Sequence, residues 1–129
     1  MKHFKFILIL ILLLSIGCKE KAKYTNITMI GGEEMKTLLK NEEVQLVDVR
    51  TVKEFNENYI EGAENIVFDD NFDQKLKGLQ KDKPVIVYCR SGRRSAKCAD
   101  ILAEKGFKKI YDLKGGITQW KKEGNKIKN

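Results

Sequence analysis

The sequence contains 129 residues, which is enough for one compact domain and too few for two of ordinary size. Lys and Arg number 25 against 18 Asp and Glu, so the formal net charge is +7. The basic excess lies largely in residues 19–23 and 121–128 and is not interleaved with aromatic side chains. This pattern is typical of solvated chain ends, so we expect no nucleic-acid partner.

The N-terminal residues have the pattern of a signal peptide. A basic start at residues 1–5 precedes an unbroken apolar run at 6–14, which predicts a signal peptide over residues 1–17. A transmembrane anchor, the alternative, needs about 20 apolar residues and this run is shorter. Residues 14–18, Leu-Ser-Ile-Gly-Cys, resemble the bacterial lipobox, in which the cysteine thiol receives a lipid and the chain is cleaved before it. The resemblance implies a lipidated Cys18 that anchors the protein to the extracytoplasmic side of a bacterial membrane, periplasmic or cell-surface, without crossing it.

Beyond the lipidated cysteine the chain divides into a tether, a domain and a tail. Residues 18–26 are polar and predict a tether, residues 27–124 a single domain, and residues 125–129 a disordered tail. Apolar runs of strand length alternate in the domain with amphipathic helical stretches, which predicts an α/β fold around a buried, mainly parallel sheet. The predicted strands are 44–48, 63–67, 85–89 and 109–113, and the predicted helices are 33–40, 52–56, 71–79, 95–105 and 117–123.

Local signals support several of these boundaries. Thr51 and Glu54 have the spacing of a capping box, which predicts the start of the short second helix. Gly106 is placed to end the helix that begins at Ser95.

With Cys18 consumed by lipid, two cysteines are left, and we expect both to be free thiols. Cys98 lies mid-helix among small apolar residues and is interpreted as a core residue.

The loop after the third predicted strand has the features of an anion-binding nucleophile site. Cys89 ends the strand and Ser95 begins a helix, so backbone amides of the turn and the helix N-terminus converge on the cysteine. Gly92 can adopt the positive φ that closes such a turn tightly. A helix N-terminus and neighbouring arginines lower a thiol pKa from about 8.5 to between about 3.5 and 7.5. Cys89 is therefore the candidate nucleophile, and its candidate binding loop consists of Arg90, Ser91, Gly92, Arg93, Arg94 and Ser95.

Five separated motifs resemble the rhodanese family in its single-domain form. They are Leu-Val-Asp-Val-Arg at 46–50, Glu-Phe at 54–55, Ile-Glu-Gly-Ala-Glu-Asn-Ile at 60–66, Cys-Arg-Ser-Gly-Arg-Arg-Ser at 89–95, and Leu-Lys-Gly-Gly at 113–116 followed by Trp120. The resemblance covers nearly all of 27–122 and implies a rhodanese-like three-layer fold, with a central mainly parallel sheet flanked by helices.

The resemblance also implies a function. Cys89 would take the outer sulfur of a donor such as thiosulfate and pass it, as a persulfide, to a thiol or cyanide acceptor. The loop amides would hold the persulfide, Arg94 would brace the loop and attract the anion, and Arg90 and Arg93 would steer anions to its mouth. Asp48 and Arg50 would support the architecture, with Asp48 paired to a loop arginine. The predicted mature chain has no histidine, and we expect neither a metal nor another cofactor.

Two other functions are compatible with the pattern. Cell-cycle phosphatases and arsenate reductases of related fold also use a cysteine and an arginine around an oxyanion, but those phosphatases leave five residues between them, whereas Cys89 and Arg94 leave four. The other alternative is a non-catalytic module that docks a partner through Trp120 or the basic C-terminal end. Replacement of Cys89 by Ser separates the enzyme from the module. The oligomeric state and the physiological donor and acceptor are not indicated by the sequence.

Overall fold

The computed structural model describes residues 23–41 and 43–129, so the predicted signal peptide and Cys18 lie outside the described residues. A five-stranded parallel sheet forms the centre, in the order β1-β5-β4-β2-β3. Its strands are Ile27–Ile30 (β1), Gln45–Asp48 (β2), Glu64–Asn65 (β3), Val85–Tyr88 (β4) and Ile110–Leu113 (β5). The predicted parallel α/β fold is confirmed.

Helices cover both faces of the sheet. One face carries α1 (Gly32–Asn41) and α5 (Gly116–Lys122), and the other carries α3 (Phe72–Lys75), a 3₁₀ turn (Leu76–Gly78) and α4 (Arg93–Glu104). The short α2 (Val52–Glu57) follows β2 and buries none of its residues. These layers form the predicted three-layer arrangement.

The central strand β4 explains why both faces need helices. Every residue of this strand is buried, and successive side chains point to opposite faces. Val85 and Val87 pack with α3 and α4, whereas Ile86 and Tyr88 pack with α1 and α5. The chain therefore leaves β4 between two apolar layers, and the next residue, Cys89, emerges at the carboxyl edge of the sheet, where ligands bind in open α/β folds.

Two predicted elements are shorter than expected. The strand predicted over 63–67 is reduced to β3, which pairs with β2 on one side only. The helix predicted over 71–79 consists of one α turn followed by the 3₁₀ turn that ends at Gly78, a poor helix former. The buried pair Phe72 and Leu76 needs only these two turns to reach the core.

The C-terminal residues correct the prediction of a disordered tail. Lys128 forms an isolated antiparallel bridge with Tyr59, in which each backbone amide donates to the other residue's carbonyl at 2.7 and 2.9 Å. The Trp120 indole donates to the Lys126 carbonyl at 2.9 Å, and Ile127 packs on the core. Hydrogen bonds with Tyr59 and Trp120 therefore hold this lysine-rich segment in place, although its sequence predicts no regular structure.

Candidate active site

The loop between β4 and α4 surrounds the Cys89 sulfur with hydrogen-bond donors. Gly92 has φ +113° and precedes the first residue of α4, as its predicted role in the turn requires. This conformation places the Gly92 amide 3.1 Å from Cys89 Sγ. Helix α4 begins at Arg93, two residues earlier than predicted, so the loop proper is only Arg90, Ser91 and Gly92.

The surroundings of Cys89 favour the thiolate. The residue is 1% exposed, and this burial acts to raise the pKa of its thiol. A hydrogen bond with the Ser95 hydroxyl and hydrogen bonds from the backbone amides of Ser95, Gly92 and Ser91 outweigh burial and lower the pKa of the thiol below its usual value. The pKa shift has the predicted direction, with hydrogen bonds within the loop as its main cause and the Coulombic attraction of Arg94 acting in the same sense.

The first residues of α5 orient the loop by binding its backbone carbonyls. The Ile117 amide donates to the Cys89 carbonyl at 2.9 Å, and the Thr118 amide donates to the Arg90 carbonyl at 3.1 Å. Both carbonyl oxygens are held by α5 while the loop amides are left for the sulfur. Gly116 makes this approach possible because it is buried at φ +57°, with no side chain to keep the two segments apart.

The loop arginines divide into one paired and two free side chains. Arg94 makes a bidentate ion pair with Glu54 of α2, at 2.7 and 2.9 Å. Its charge is largely neutralised there, and the ion pair links α4 to α2. Arg90 and Arg93 are exposed, and neither side chain has an ion-pair or hydrogen-bond partner among residues 23–41 and 43–129.

Glu54 is a site residue that the sequence analysis placed in a helix cap and in the Glu-Phe motif at 54–55, with no role in the site. Its carboxylate accepts hydrogen bonds from the Thr51 amide and hydroxyl, and the Thr51 hydroxyl accepts from the Glu54 amide, which confirms the capping box. The same carboxylate binds Arg94. Because the capping box already explains a glutamate at this position, the sequence contains no separate signal for the ion pair.

Replacing Glu54 by Gln should lower the free energy of unfolding at neutral pH. The hydrogen-bonded Arg94 lowers the pKa of Glu54 from 4.5 to about 2. With a discount for partial exposure, the loss is about 1 to 2 kcal/mol. A depressed carboxyl pKa stabilises the fold above the unfolded value, so the difference from wild type should narrow below about pH 4.5 and close near pH 2.

Urea unfolding of Glu54→Gln and wild type between about pH 7 and pH 3 measures this difference. Glu57→Gln on the exposed face of the same helix is the matched control and should leave stability unchanged at every pH. A Glu54→Gln deficit that stays constant as the pH falls would show that the ion pair does not cause it.

Asp48 and Arg50 pair with each other, which corrects the expected contact between Asp48 and a loop arginine. Both are buried, and Arg50 donates to Asp48 through Nε and Nη2 at distances of 2.6 to 3.0 Å, as well as to the Asn58 carbonyl at 2.6 Å. The guanidinium also lies 5.8 Å from the centre of the Tyr88 ring. Only Val49 separates the partners along the chain, so the pair forms locally and supports the architecture at the end of β2.

A second unanticipated site residue is Asp112 of β5. It is 4% exposed, and its Oδ1 accepts a 2.7 Å hydrogen bond from Ser95 Oγ, which lies 3.5 Å from Cys89 Sγ. The sequence contained a signal, because a carboxylate in the otherwise apolar strand Ile-Tyr-Asp-Leu is unusual for a buried parallel strand.

Cys98 is a free, fully buried thiol with its pKa raised to about 12 by burial, consistent with the predicted core role.

The comparisons with known proteins agree with this geometry. Residues 32–123 match the family model described as "Rhodanese-like domain". The uncharacterised protein YqhL of Bacillus subtilis is 40% identical over 100 residues, covering 73% of this chain and 76% of YqhL. The thiosulfate sulfurtransferase GlpE of Shewanella oneidensis is 36% identical over 77 residues, covering 60% of this chain and 75% of GlpE.

Solved structures give the same result for the fold. The crystal structure of a rhodanese-like domain protein from Staphylococcus aureus superposes with a TM-score of 0.68 at 33% identity and covers 79% of this chain and 99% of that one. The β4 to α4 loop lies inside the residues that the family model matches. This chain therefore belongs to the rhodanese family, and several of its relatives are named sulfurtransferases.

Proposed function

We propose that this protein is a sulfurtransferase in which Cys89 carries a sulfane sulfur as a persulfide. The observation that carries the proposal is the ring of donors around Cys89 Sγ, with the Gly92 amide at 3.1 Å and the pKa of the thiol lowered. Donors that stabilise a thiolate also stabilise the terminal sulfur of a persulfide anion, which carries the same charge one bond further out. Relatives named as sulfurtransferases support the same chemistry.

The proposed reaction has two displacements. The Cys89 thiolate attacks the outer sulfur of thiosulfate or of another sulfane donor. The new sulfur–sulfur bond forms as the donor's bond breaks, and sulfite leaves with the electron pair. A thiolate or cyanide then attacks the terminal sulfur and releases the Cys89 thiolate, giving an acceptor persulfide or thiocyanate. No external oxidant or proton source is required, and no imidazole takes part.

Charge at the mouth of the loop favours a small anionic donor. Arg90 and Arg93 are exposed, and their charges are not neutralised by any residue in the described part of the chain. Their positive field raises the local concentration of an anion such as thiosulfate. Since Cys89 is only 1% exposed, a donor with a terminal sulfur that can enter the loop suits the site better than a bulky one.

Mass spectrometry of the purified protein after incubation with thiosulfate tests the proposal. We expect a gain of one sulfur on the peptide that contains Cys89, discharged by cyanide with release of thiocyanate. Absence of an adduct with thiosulfate, and with an organic persulfide donor as well, would refute the proposed function.

The ion pair of Arg94 argues against the phosphatase alternative. A tetrahedral oxyanion needs an arginine that is free to make a bidentate contact, and here both terminal nitrogens of Arg94 are bound to Glu54. The loop is also shorter than in the phosphatases that it resembles. Incubation with a generic aryl phosphate should therefore give no turnover above that of Cys89→Ser.

The binding-module alternative depended in part on Trp120, and its environment argues against that role. Trp120 is 6% exposed, packs among core residues on the α1 and α5 face, and donates its indole hydrogen to Lys126. A side chain so engaged offers little surface to a partner.

We also propose that the enzyme works on the extracytoplasmic face of a bacterial membrane, anchored by a lipid on Cys18. The lipobox-like residues 14–18 support this location. Among the residues that the structure describes, no helix has the length and apolar character to cross a bilayer. Acyl labelling in a bacterial host should be present on the full chain and absent from Cys18→Ala, while unchanged labelling would contradict the anchor.

A further inference from the structure

Asp112 is a buried carboxylate in a layer that is otherwise apolar. It is paired in register with Val87 of β4, and its side chain lies on the α4 face of the sheet beside Cys98. Its carboxylate has no ion-pair partner within the described residues, and the one hydrogen bond of that carboxylate there is the 2.7 Å contact from Ser95 Oγ. An apolar side chain at this position would avoid the cost of burying a charge. A buried carboxylate that is separated from the nucleophile by a single side chain, and that destabilises the fold when ionised, indicates a functional role.

Ser95 connects Asp112 to the nucleophile. Its Oγ lies 3.5 Å from Cys89 Sγ and 2.7 Å from Asp112 Oδ1, with the Gly92 carbonyl as a longer contact at 3.2 Å. A serine hydroxyl has one proton to donate and two lone pairs to accept with. It therefore cannot donate to the carboxylate and to a thiolate at the same time.

This single proton allows two internally consistent patterns. When Asp112 is ionised, it accepts the Ser95 proton, and the oxygen lone pairs face a protonated Cys89 thiol that donates to them. When Asp112 is protonated, it donates to Ser95 Oγ, and the hydroxyl proton turns to the Cys89 thiolate. Burial makes the second pattern less costly, because it raises the pKa of Asp112 from 3.8 to about 6.

We propose that Asp112, acting through Ser95, holds the proton of the Cys89 thiol, so that the thiolate forms together with a protonated Asp112. The step moves one proton from Sγ to Ser95 Oγ while the Ser95 proton moves to Asp112 Oδ1. The net charge of the three residues is unchanged and no other reactant is consumed. The inference depends on the proposed function only for the use of the thiolate in sulfur attack. Asp112 is a positioning residue, since it reaches the sulfur through another side chain.

The charged and titratable groups that face this pair keep their charge over the relevant range. Cys98, beside Asp112, has its pKa raised to about 12 and is neutral. Arg94 at the start of α4 has a raised pKa and is cationic, and its partner Glu54 has a pKa of about 2 and is anionic. None of these groups changes its charge as Asp112 and Cys89 titrate, so the apparent pKa values describe the coupled pair and cannot be assigned to either residue alone.

The rate of Cys89 alkylation by iodoacetamide as a function of pH tests the proposal in the full chain. Mass spectrometry of peptides separates Cys89 from Cys98 and Cys18, and no sulfur donor is involved. In Asp112→Asn, the amide can donate permanently to Ser95 Oγ, so the hydroxyl proton faces the sulfur. The wild-type profile should show two steps, at the two apparent pKa values of the pair, whereas Asp112→Asn should show a single step below the upper wild-type value, by about one to two pKa units for one charge-assisted hydrogen bond. Asp100→Asn on the exposed face of α4 is the matched control and should leave the alkylation profile unchanged.

A double-mutant cycle separates coupling through Ser95 from the direct field of a carboxylate. In the Ser95→Ala background, the effect of Asp112→Asn on the alkylation pKa should vanish. An undiminished shift in that background would overturn the proposal, as would no shift in Asp112→Asn alone.

A measurement on the wild-type chain covers the case in which Ser95→Ala does not fold. Carbon NMR titrations of the Asp112 carboxyl and the Cys89 Cβ should show the same two apparent pKa values, and two independent single-step curves would overturn the coupling. Normal persulfide loading with uncoupled titrations would leave the proposed function standing. Coupled titrations with no persulfide would refute the proposed function and leave the coupling of Asp112 and Cys89 standing.

Discussion

Replacing Cys89 by Ser should abolish sulfur loading and lower the rate of thiocyanate formation from thiosulfate and cyanide by at least about 10³-fold. A serine hydroxyl is not ionised by the donors that lower the pKa of the Cys89 thiol, because its own pKa is far higher. Its oxygen also cannot form the sulfur–sulfur bond that stores the transferred atom. The substitution is nearly isosteric at a buried position, so the fold and the Arg94–Glu54 pair should be retained.

The second cysteine provides the control for this experiment. Cys98→Ala removes the other described thiol from the apolar layer beneath α4, with a modest loss of stability from the small cavity. It should still load one sulfur and form thiocyanate. Sulfur uptake by Cys89→Ser at the wild-type level, together with its loss in Cys98→Ala, would show that the wrong cysteine had been chosen as the nucleophile.

The parts of the site that sequence reasoning predicted correctly are those whose causes lie within a few residues. The apolar run before Cys89, the glycine at 92 and the helix that follows determine the turn locally, so its location and the positive φ of Gly92 could be predicted. The capping box at Thr51 and Glu54 is local in the same sense. Conversely, the helix boundary was misplaced by two residues, since Gly92 itself precedes the first helical residue.

The parts that were missed join elements far apart in the chain. Arg94 and Glu54 are separated by 40 residues and Asp112 and Ser95 by 17, and the contact between residues 59 and 128 spans most of the domain. Such partners are chosen by how helices and strands pack, which a pattern of local propensity does not encode. An aspartate in an apolar strand was visible, but its partner was not.

Replacing Gly116 by Ala should disrupt the loop without changing any side chain that takes part in the chemistry. An added Cβ would overlap the carbonyl oxygen of Cys89 and would lie 2.6 Å from that of Arg90, both of which are backbone atoms fixed at the base of the loop. The φ of +57° adds strain for any residue with a side chain. Together these effects should lower the free energy of unfolding by about 3 kcal/mol or more.

The functional consequence of Gly116→Ala should exceed what the loss of stability explains. If α5 is pushed away, the Ile117 and Thr118 amides no longer bind the carbonyls of Cys89 and Arg90. The loop amides then no longer point at the Cys89 sulfur. A misplacement of about 1 Å costs on the order of 10²-fold in rate, so folded Gly116→Ala protein should load sulfur that much more slowly. Gly78→Ala, where a Cβ would meet nothing within 4 Å and φ is not positive, is the matched control and should load normally. Urea unfolding gives the loss of stability, and the rate of sulfur loading, measured where both variants are folded, gives the loss of function. Wild-type loading by Gly116→Ala would mean that α5 does not orient the loop.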